Sequence, residues 1–443
     1  MSRRGFVRAG ALGIAGLSLP NILRQQASAA AAGAKVSSEN SVILLWMRGG
    51  PSQHETWDPK PDAPEEYRGA FGAMSTKVPG FQICDLLPKC AKITDKFSVI
   101  RSLAHGNAGH SAADQIVFTG YPPGPDPDAN VHPSIGSIVA QECRHLDSDL
   151  PAYVMIPKGV PGSGPAYLGS RCGAFETKSD PAKEGPFELP DLTLQKGMTF
   201  DRLDTRNKLL ASLDQLRRGV DTGGQMASLD HFQQKALEIV LSERARHAFD
   251  LDAEPRKVRE RYGFMPAYLA PTPDRCGAPA WSQRILLARR LVEAGVRLVT
   301  VDLRWWDTHV KGYESMRDGF LPRWDQAYSA LIEDLHQRGL LDTTMVLAWG
   351  EFGRTPKVNK TGGRDHWGNV FSAAMAGGGI QGGCIVGESD QYGGEPKENF
   401  KSPQDVLATV YNHLGIDTKK TYEDLGGRPH PIVPSGKVIE ELF

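Results

Sequence analysis

The chain has no Cys-x-x-Cys pair, no Gly-rich dinucleotide fingerprint joining a strand to a helix, no internal repeat and no apolar run long enough to span a bilayer comfortably. Its six cysteines, Cys84, Cys90, Cys143, Cys172, Cys276 and Cys384, lie too far apart for a zinc ribbon or a dithiol redox motif. A chain of 443 residues can build its core without disulfides, so their pairing stays open. An excess of one charge is missing too: Lys and Arg total 51 against 52 Asp and Glu. That balance gives no bulk attraction to nucleic acid or to an anionic membrane surface. Iron–sulfur and nucleotide redox chemistry have no residues here to carry them. The length would allow several domains, but a large α/β protein can be one.

What is present begins with Ser2-Arg3-Arg4-Gly5-Phe6-Val7-Arg8, an apolar Gly/Ala-rich stretch from Ala9 to Leu19, and Ala27-Ser28-Ala29. A basic start, a short weakly apolar middle and a small-residue cleavage site predict a removable twin-arginine export signal over residues 1–30. The remainder, 31–443, is expected to form a single domain that works outside the cytoplasm, periplasmic or otherwise exported, with no integral membrane segment after the signal is removed.

Two buried-strand patterns, Val296 to Leu303 and Thr344 to Trp349, each run directly into a cluster of acid or imidazole: Trp306-Asp307-Thr308-His309 and Gly350-Glu351-Phe352-Gly353-Arg354. A third cluster, Gly363-Arg364-Asp365-His366, follows closely. In open α/β sheets, ligands gather outside the carboxyl ends of the strands. Carboxylates and imidazoles collected there suit Zn²⁺ or a similar divalent ion, which activates a nucleophile and neutralises developing charge. The plainer alternative is that each Asp or His caps a helix or satisfies loop backbone.

Further strands are expected over Ser41 to Met47, Phe97 to Leu103, Ala152 to Ile156 and Phe371 to Ala376. Helices are expected from the region of Ser111 through Phe118, over Trp281 to Ala294, Trp324 to Arg338 and Gln404 to Leu414. Leu203 to Phe249 is charged and helix-periodic and reads as a helical insertion over about residues 200–250. The alternation of helix, strand and acidic loop predicts an α/β three-layer sandwich: a mostly parallel central sheet with helices on both faces.

Gly49-Gly50-Pro51-Ser52-Gln53 with Thr56-Trp57-Asp58-Pro59-Lys60-Pro61, Arg101-Ser102-Leu103-Ala104-His105 with His110, Trp306-Asp307-Thr308-His309, and Gly350 to Pro356 with Gly363-Arg364-Asp365-His366-Trp367 resemble the DUF1501 proteins. That family is assigned by similarity to the alkaline phosphatase and sulfatase superfamily. The resemblance implies an alkaline-phosphatase-like fold holding one or two metal ions, most simply Zn. By that resemblance Asp307 and His309 suit the Asp and His of one metal loop, Glu351 stands for the Asp of an Asp-His pair, and His366 for a distal His. Phe352 takes the place of the paired His. Met47-Arg48-Gly49 replaces the usual first-strand Asp-Gly, so a first carboxylate would come from Glu55 or Asp58.

Ser111, at the start of a helix, is the candidate nucleophile, since a helix N-terminus favours a developing alkoxide and an anionic group; Ser is equally a common N-cap. His105 and His110 are candidate ligands or proton donors. Arg354 and Arg364 are candidate clamps for phosphate or sulfate, or partners of Glu351 and Asp365. Trp305, Trp306 and Trp367 could form a sugar-stacking wall or simply pack the core. Cys276 is followed by Gly277-Ala278-Pro279-Ala280, not by the pattern that sulfatases convert to formylglycine. The expected activity is metal-dependent hydrolysis of phosphate or sulfate esters, on a small anionic ester or a sulfated or phosphorylated glycan. The competing expectation is a catalytically inactive relative that binds anionic glycans or cell-surface partners.

Overall fold

Ser41-Val42-Ile43-Leu44-Leu45-Trp46 has no polar face, and it lies at the middle of the sheet with both faces covered. The computed structural model describes residues 39–443 apart from 147, 186, 190–241 and 271–276. The expected leader and nearly all of the expected helical insertion fall outside those residues; Glu243–Phe249, capped by Ser242, is a described helix from the end of the insertion.

The sheet has eight strands: β1 (Ser41–Trp46), β2 (Phe97–Leu103), β3 (Tyr153–Ile156), β4 (Phe175–Glu176), β5 (Leu298–Asp302), β6 (Thr344–Trp349), β7 (Phe371–Ala376) and β8 (Ile385–Val386). Their spatial order is β8-β2-β7-β6-β1-β5-β3-β4. Strand β1 pairs in parallel with β5 and β6, and β3 joins β5 and β4 in the same sense. Only β7 is reversed, running antiparallel to both β6 and β2. The expected α/β class and mostly parallel sheet are therefore present.

Successive side chains of a strand face opposite ways, and the two cores follow that alternation. Ile43, Leu45, Val299, Val301, Val346 and Ala348 join the core on one face. There they meet α3 (Ser282–Glu293) and α4 (Leu321–Gln337). Val42, Leu44, Trp46, Leu298, Met345 and Leu347 face the other way. They pack on α1 (His110–Thr119), α2 (Ile135–Glu142) and α5 (Pro403–Leu414). Helix α5 starts with a full capping box, Ser402 and Asp405 each bonding the other's backbone N–H. The short strands β4 and β8 and helix α2 had no clear pattern in the sequence, being brief or Gly-containing. No helix among the described residues is long and apolar enough to cross a membrane.

Because β1, β2, β5 and β6 are parallel, the loops after them leave from one edge of the sheet and carry Arg48, His110, Asp307 and Glu351 to it. The reversed β7 begins at that edge, so the segment before it, with His366, arrives there as well. The chains cross closely. Arg48 accepts from the Trp306 N–H at 2.8 Å, and Gly49 has φ +112° with Trp306 N only 2.4 Å from where a Cβ would stand. Any side chain at Gly49 meets both a left-handed backbone and a neighbouring main chain. Gly49→Ala is expected to lower stability by about 1–3 kcal/mol from the backbone conformation alone, with the clash added; urea unfolding reads this as an earlier midpoint, and an unchanged midpoint contradicts the crossing.

Candidate functional site

Helix α1 opens with His110, not with a capping serine: Gly109 is the N-cap and makes no side-chain cap bond. Ser111 is the second helical residue, and its hydroxyl has no hydrogen-bond partner among the described residues. The plain capping role considered for Ser111 is thus absent. From the first helical position the His110 ring reaches Glu351 through Nδ1 (2.6 Å) and Asp307 through Nε2 (3.5 Å).

Asp307 is the meeting point. His366 Nε2 and His309 Nε2 each lie 3.0 Å from its Oδ1, and they are 2.9 Å from each other. Ligand atoms of His110, Asp307 and His366 all lie within 4.8 Å of one another, the one such group among the described residues. Each imidazole is also held from behind. His110 Nδ1 bonds the Glu351 carboxylate, His309 Nδ1 bonds Asp365 at 2.7 Å, and His366 Nδ1 bonds the Ala108 carbonyl at 2.8 Å. An acceptor at Nδ1 keeps the proton there and leaves the Nε2 lone pair pointing inward, the arrangement of metal-ligating histidines. The donor set, imidazole nitrogens around one carboxylate, suits Zn or a comparable divalent ion.

The electrostatics also favour a cation. Burial alone would lower His110, but its hydrogen bonds to Asp307 and Glu351 and their charges overcome this and hold it up at about 9. The hydrogen bond to Asp307 raises His309, against burial, with help from Asp365. Burial works to raise Asp307, yet the bonds from His110, His309 and His366 and the charge of Arg354 hold its carboxyl well below the usual range. A carboxylate so placed is kept negative and draws positive charge, whether from protons or from a metal ion.

Several expected roles fall differently. Glu351, expected as a ligand, is fully buried, with both oxygens accepting the Gly49 N–H at 2.8 and 3.0 Å and one of them bonding His110. His110, expected as a ligand or a proton donor, turns its Nε2 into the cluster. Arg354, expected as an anion clamp, has no N–H to spare. Its guanidinium bonds Asp307 Oδ1 (2.7 Å) and the carbonyls of Gly49, Gly50, Trp306 and Arg364, and its Nη1 also stands 3.4 Å from His309 Nε2. Arg364 is spent likewise on Glu55 and on the carbonyls of Tyr67, Thr355 and Pro356. Glu55, held low despite its burial by that arginine, is therefore an ion-pair partner and is not turned to the His110, Asp307 and His366 cluster. Asp58 is turned to Ser389, Lys60 and Arg101 and does not join the cluster. With both engaged elsewhere, neither supplies a carboxylate for a second ion, and Phe352 packs on that side, its ring 4.6 Å from His366 and 5.2 Å from His110.

His105 is structural: its Nδ1 accepts from the Asn107 N–H, so Nε2–H donates to the Glu351 carbonyl at 2.6 Å. Trp306 is buried against Trp281 and belongs to the core, whereas Trp305 and Trp367 stay half-buried near the cluster. Two contributors escaped the sequence. Asp365 lies in a quoted motif but its role behind His309 depends on a fold-back that spacing does not show. Asp114, one turn beyond His110, is fully buried and bonds Arg48 Nε at 2.8 Å. Burial and the charge of Glu351 push its carboxyl up, with Arg48 pulling the other way.

Residues 39–443 match the family described as protein of unknown function, DUF1501. The chain belongs to that family. No curated protein matches it. Among solved structures, this DUF1501 chain is distantly similar to Ps i-CgsB, solved in complex with k-i-k-neocarrahexaose, at 10% identity over 86% of this chain and 72% of that one, with a TM-score of 0.38. It is similar at the same level to a phosphonate monoester hydrolase of Agrobacterium radiobacter, at 11% identity over 91% and 77% of the two chains and a TM-score of 0.38. A third is the lipoteichoic acid synthase LtaP from Listeria monocytogenes, at 8% identity over 89% and 78%, TM-score 0.33.

Elemental analysis of the purified DUF1501 protein tests the cluster. About one divalent ion per chain is expected. His366→Ala should empty the site, and Glu351→Gln should weaken metal affinity by about 10- to 100-fold. Full metal content in His366→Ala would show that the ion is held elsewhere.

Proposed function

We propose that this DUF1501 protein is an exported, metal-dependent hydrolase of phosphate or sulfate esters. The observation that carries the reading is the convergence of the inward-facing Nε2 atoms of His110, His309 and His366 on Asp307, each ring tied at Nδ1 to an acceptor. His110, Asp307 and His366 would hold a single divalent ion, most simply Zn, with His309 beside them against Asp307 and His366. Bound there, the ion supplies Lewis-acid charge that offsets the negative charge building on the ester oxygens.

The chain's own residues do the rest. Glu351, Asp365 and the Ala108 carbonyl fix the rings, so little reorganisation is needed when the anion arrives. The unsatisfied N–H groups at the start of α1 point positive charge toward the same place. Ser111 is the nucleophile in this reading: its hydroxyl is unengaged, partly exposed and adjacent to His110. Its oxygen attacks the phosphorus or sulfur while the bond to the ester's alcohol oxygen breaks; the serine proton passes through solvent to that departing oxygen, and water then cleaves the seryl phosphate or sulfate, releasing the anion and restoring the Ser111 hydroxyl. Half-buried Trp367, next to His366, would offer its ring to a sugar, which favours a sulfated or phosphorylated glycan as the class of substrate.

A panel of aryl phosphate and aryl sulfate esters, assayed before and after chelation and metal return, tests the proposal. Turnover should vanish on chelation and come back with the metal. Ser111→Ala should cut kcat at least about a hundredfold at unchanged metal content. Full activity of Ser111→Ala would assign the attack to water. Metal-loaded protein that turns over no ester, yet binds anionic glycans, would make this a binding protein instead.

A further inference from the structure

With Arg354 and Arg364 fully engaged, the site as described lacks a group to grip the anion. Arg48 differs from both. It stands one residue beyond Met47 at the carboxyl end of β1, between the strands that deliver Asp307 and Glu351. Its Nε is spent on Asp114 at 2.8 Å, while neither terminal nitrogen bonds any described residue. Those two nitrogens are not sealed from solvent either, although the side chain as a whole is only 8% exposed. The guanidinium lies 4.4 Å from the centre of the Trp305 ring, and Trp305 in turn packs against His110 at 5.9 Å. Asp114 follows His110 by one helical turn, so the salt bridge brings the arginine to the face of α1 that carries the His110 ring.

We infer that Arg48 is the anion-binding residue of this site: its free terminal nitrogens take two oxygens of a phosphate or sulfate group held beside His110 and Asp307. The inference rests on the ester-hydrolase reading for what the anion is, and on the geometry for which residue grips it. Asp114 at Nε and Trp305 against the plane fix the guanidinium before any ligand arrives, so the fork loses little freedom on binding. Two parallel N–H···O bonds from one guanidinium match the spacing of two oxygens on a tetrahedral anion, which an ammonium cannot do. A long, buried, pre-aimed arginine also explains why Asp114 is buried so deeply behind it: the carboxylate orients the fork without blocking its open end.

Titration of the metal-loaded full chain with inorganic phosphate, and separately with sulfate, by calorimetry tests this. Arg48→Lys keeps a positive charge for Asp114 but has no fork; the double variant Arg48→Met with Asp114→Asn removes the charge pair together, which guards against a fold lost to an unpaired buried carboxylate. Both should bind phosphate at least about tenfold more weakly than the parent. Their metal content should not change, and in Arg48→Lys KM for an aryl phosphate should rise by a similar factor. Parent-like phosphate affinity in Arg48→Lys and in the double variant would overturn the assignment while leaving the metal site intact. Phosphate binding that survives chelation but is lost in both variants would uphold Arg48 and count against the metal-dependent reading. A parent chain that binds neither anion overturns the inference.

Discussion

Everything at this edge of the sheet is arranged around one carboxylate. Asp307 sits where three histidine rings and the Arg354 guanidinium meet, mostly out of water. A negative charge so placed is tolerable only because each of its oxygens is paired with positive or donor groups, and removing any partner would leave the charge exposed to a low-dielectric interior. Arg354 is the part of that arrangement that is pure structure. It ties the loops after β1, β5 and β6 through the carbonyls of Gly49, Gly50 and Trp306, which puts Asp307 at one position. The mobile part is the cation demand left over, which three imidazoles can meet with protons or hand to a metal.

The fold serves that centre by topology. Parallel strands bring their following loops to one edge as a matter of course, and the single reversed strand β7 brings the preceding loop with His366 to the same edge. A fully parallel sheet would have carried His366 to the opposite end. The close passage of Gly49 beside Trp306 and Asp307 is the steric counterpart, since the loops can share one carboxylate only where a residue without a side chain lets them touch.

Much of this was legible before the structure. Apolar runs with strand character marked β1, β2, β5, β6 and β7 nearly to the residue, and the positions of Asp307, His309 and His366 after them gave the core of the site. What pattern reading missed was which partner stands behind which. Glu351 looks like a ligand by its place after β6, but its oxygens are drawn to the Gly49 N–H and to His110, contacts between segments some 240 to 300 residues apart. The same long-range pairing consumed Glu55 on Arg364 and Asp58 on Ser389, and it turned Arg354 from a clamp into a brace. Spacing along the chain reports local geometry and strand ends; it does not report the outcome of a competition among buried charges for partners distant in sequence. Arg48 is not legible in the sequence for the converse reason: there it is only a departure from an expected carboxylate, and its setting depends on Asp114 and Trp305, which no motif joins to it.

Diffraction from crystals of the metal-loaded protein, recorded on both sides of the zinc absorption edge, addresses the central claim most directly. The account predicts one anomalous peak, roughly 2.0 to 2.2 Å from His110 Nε2, His366 Nε2 and an Asp307 oxygen, with Glu351 outside the coordination sphere. A peak bound by Glu55 or Asp58, or one that leaves His110 and Asp307 bonded only to each other, would contradict it.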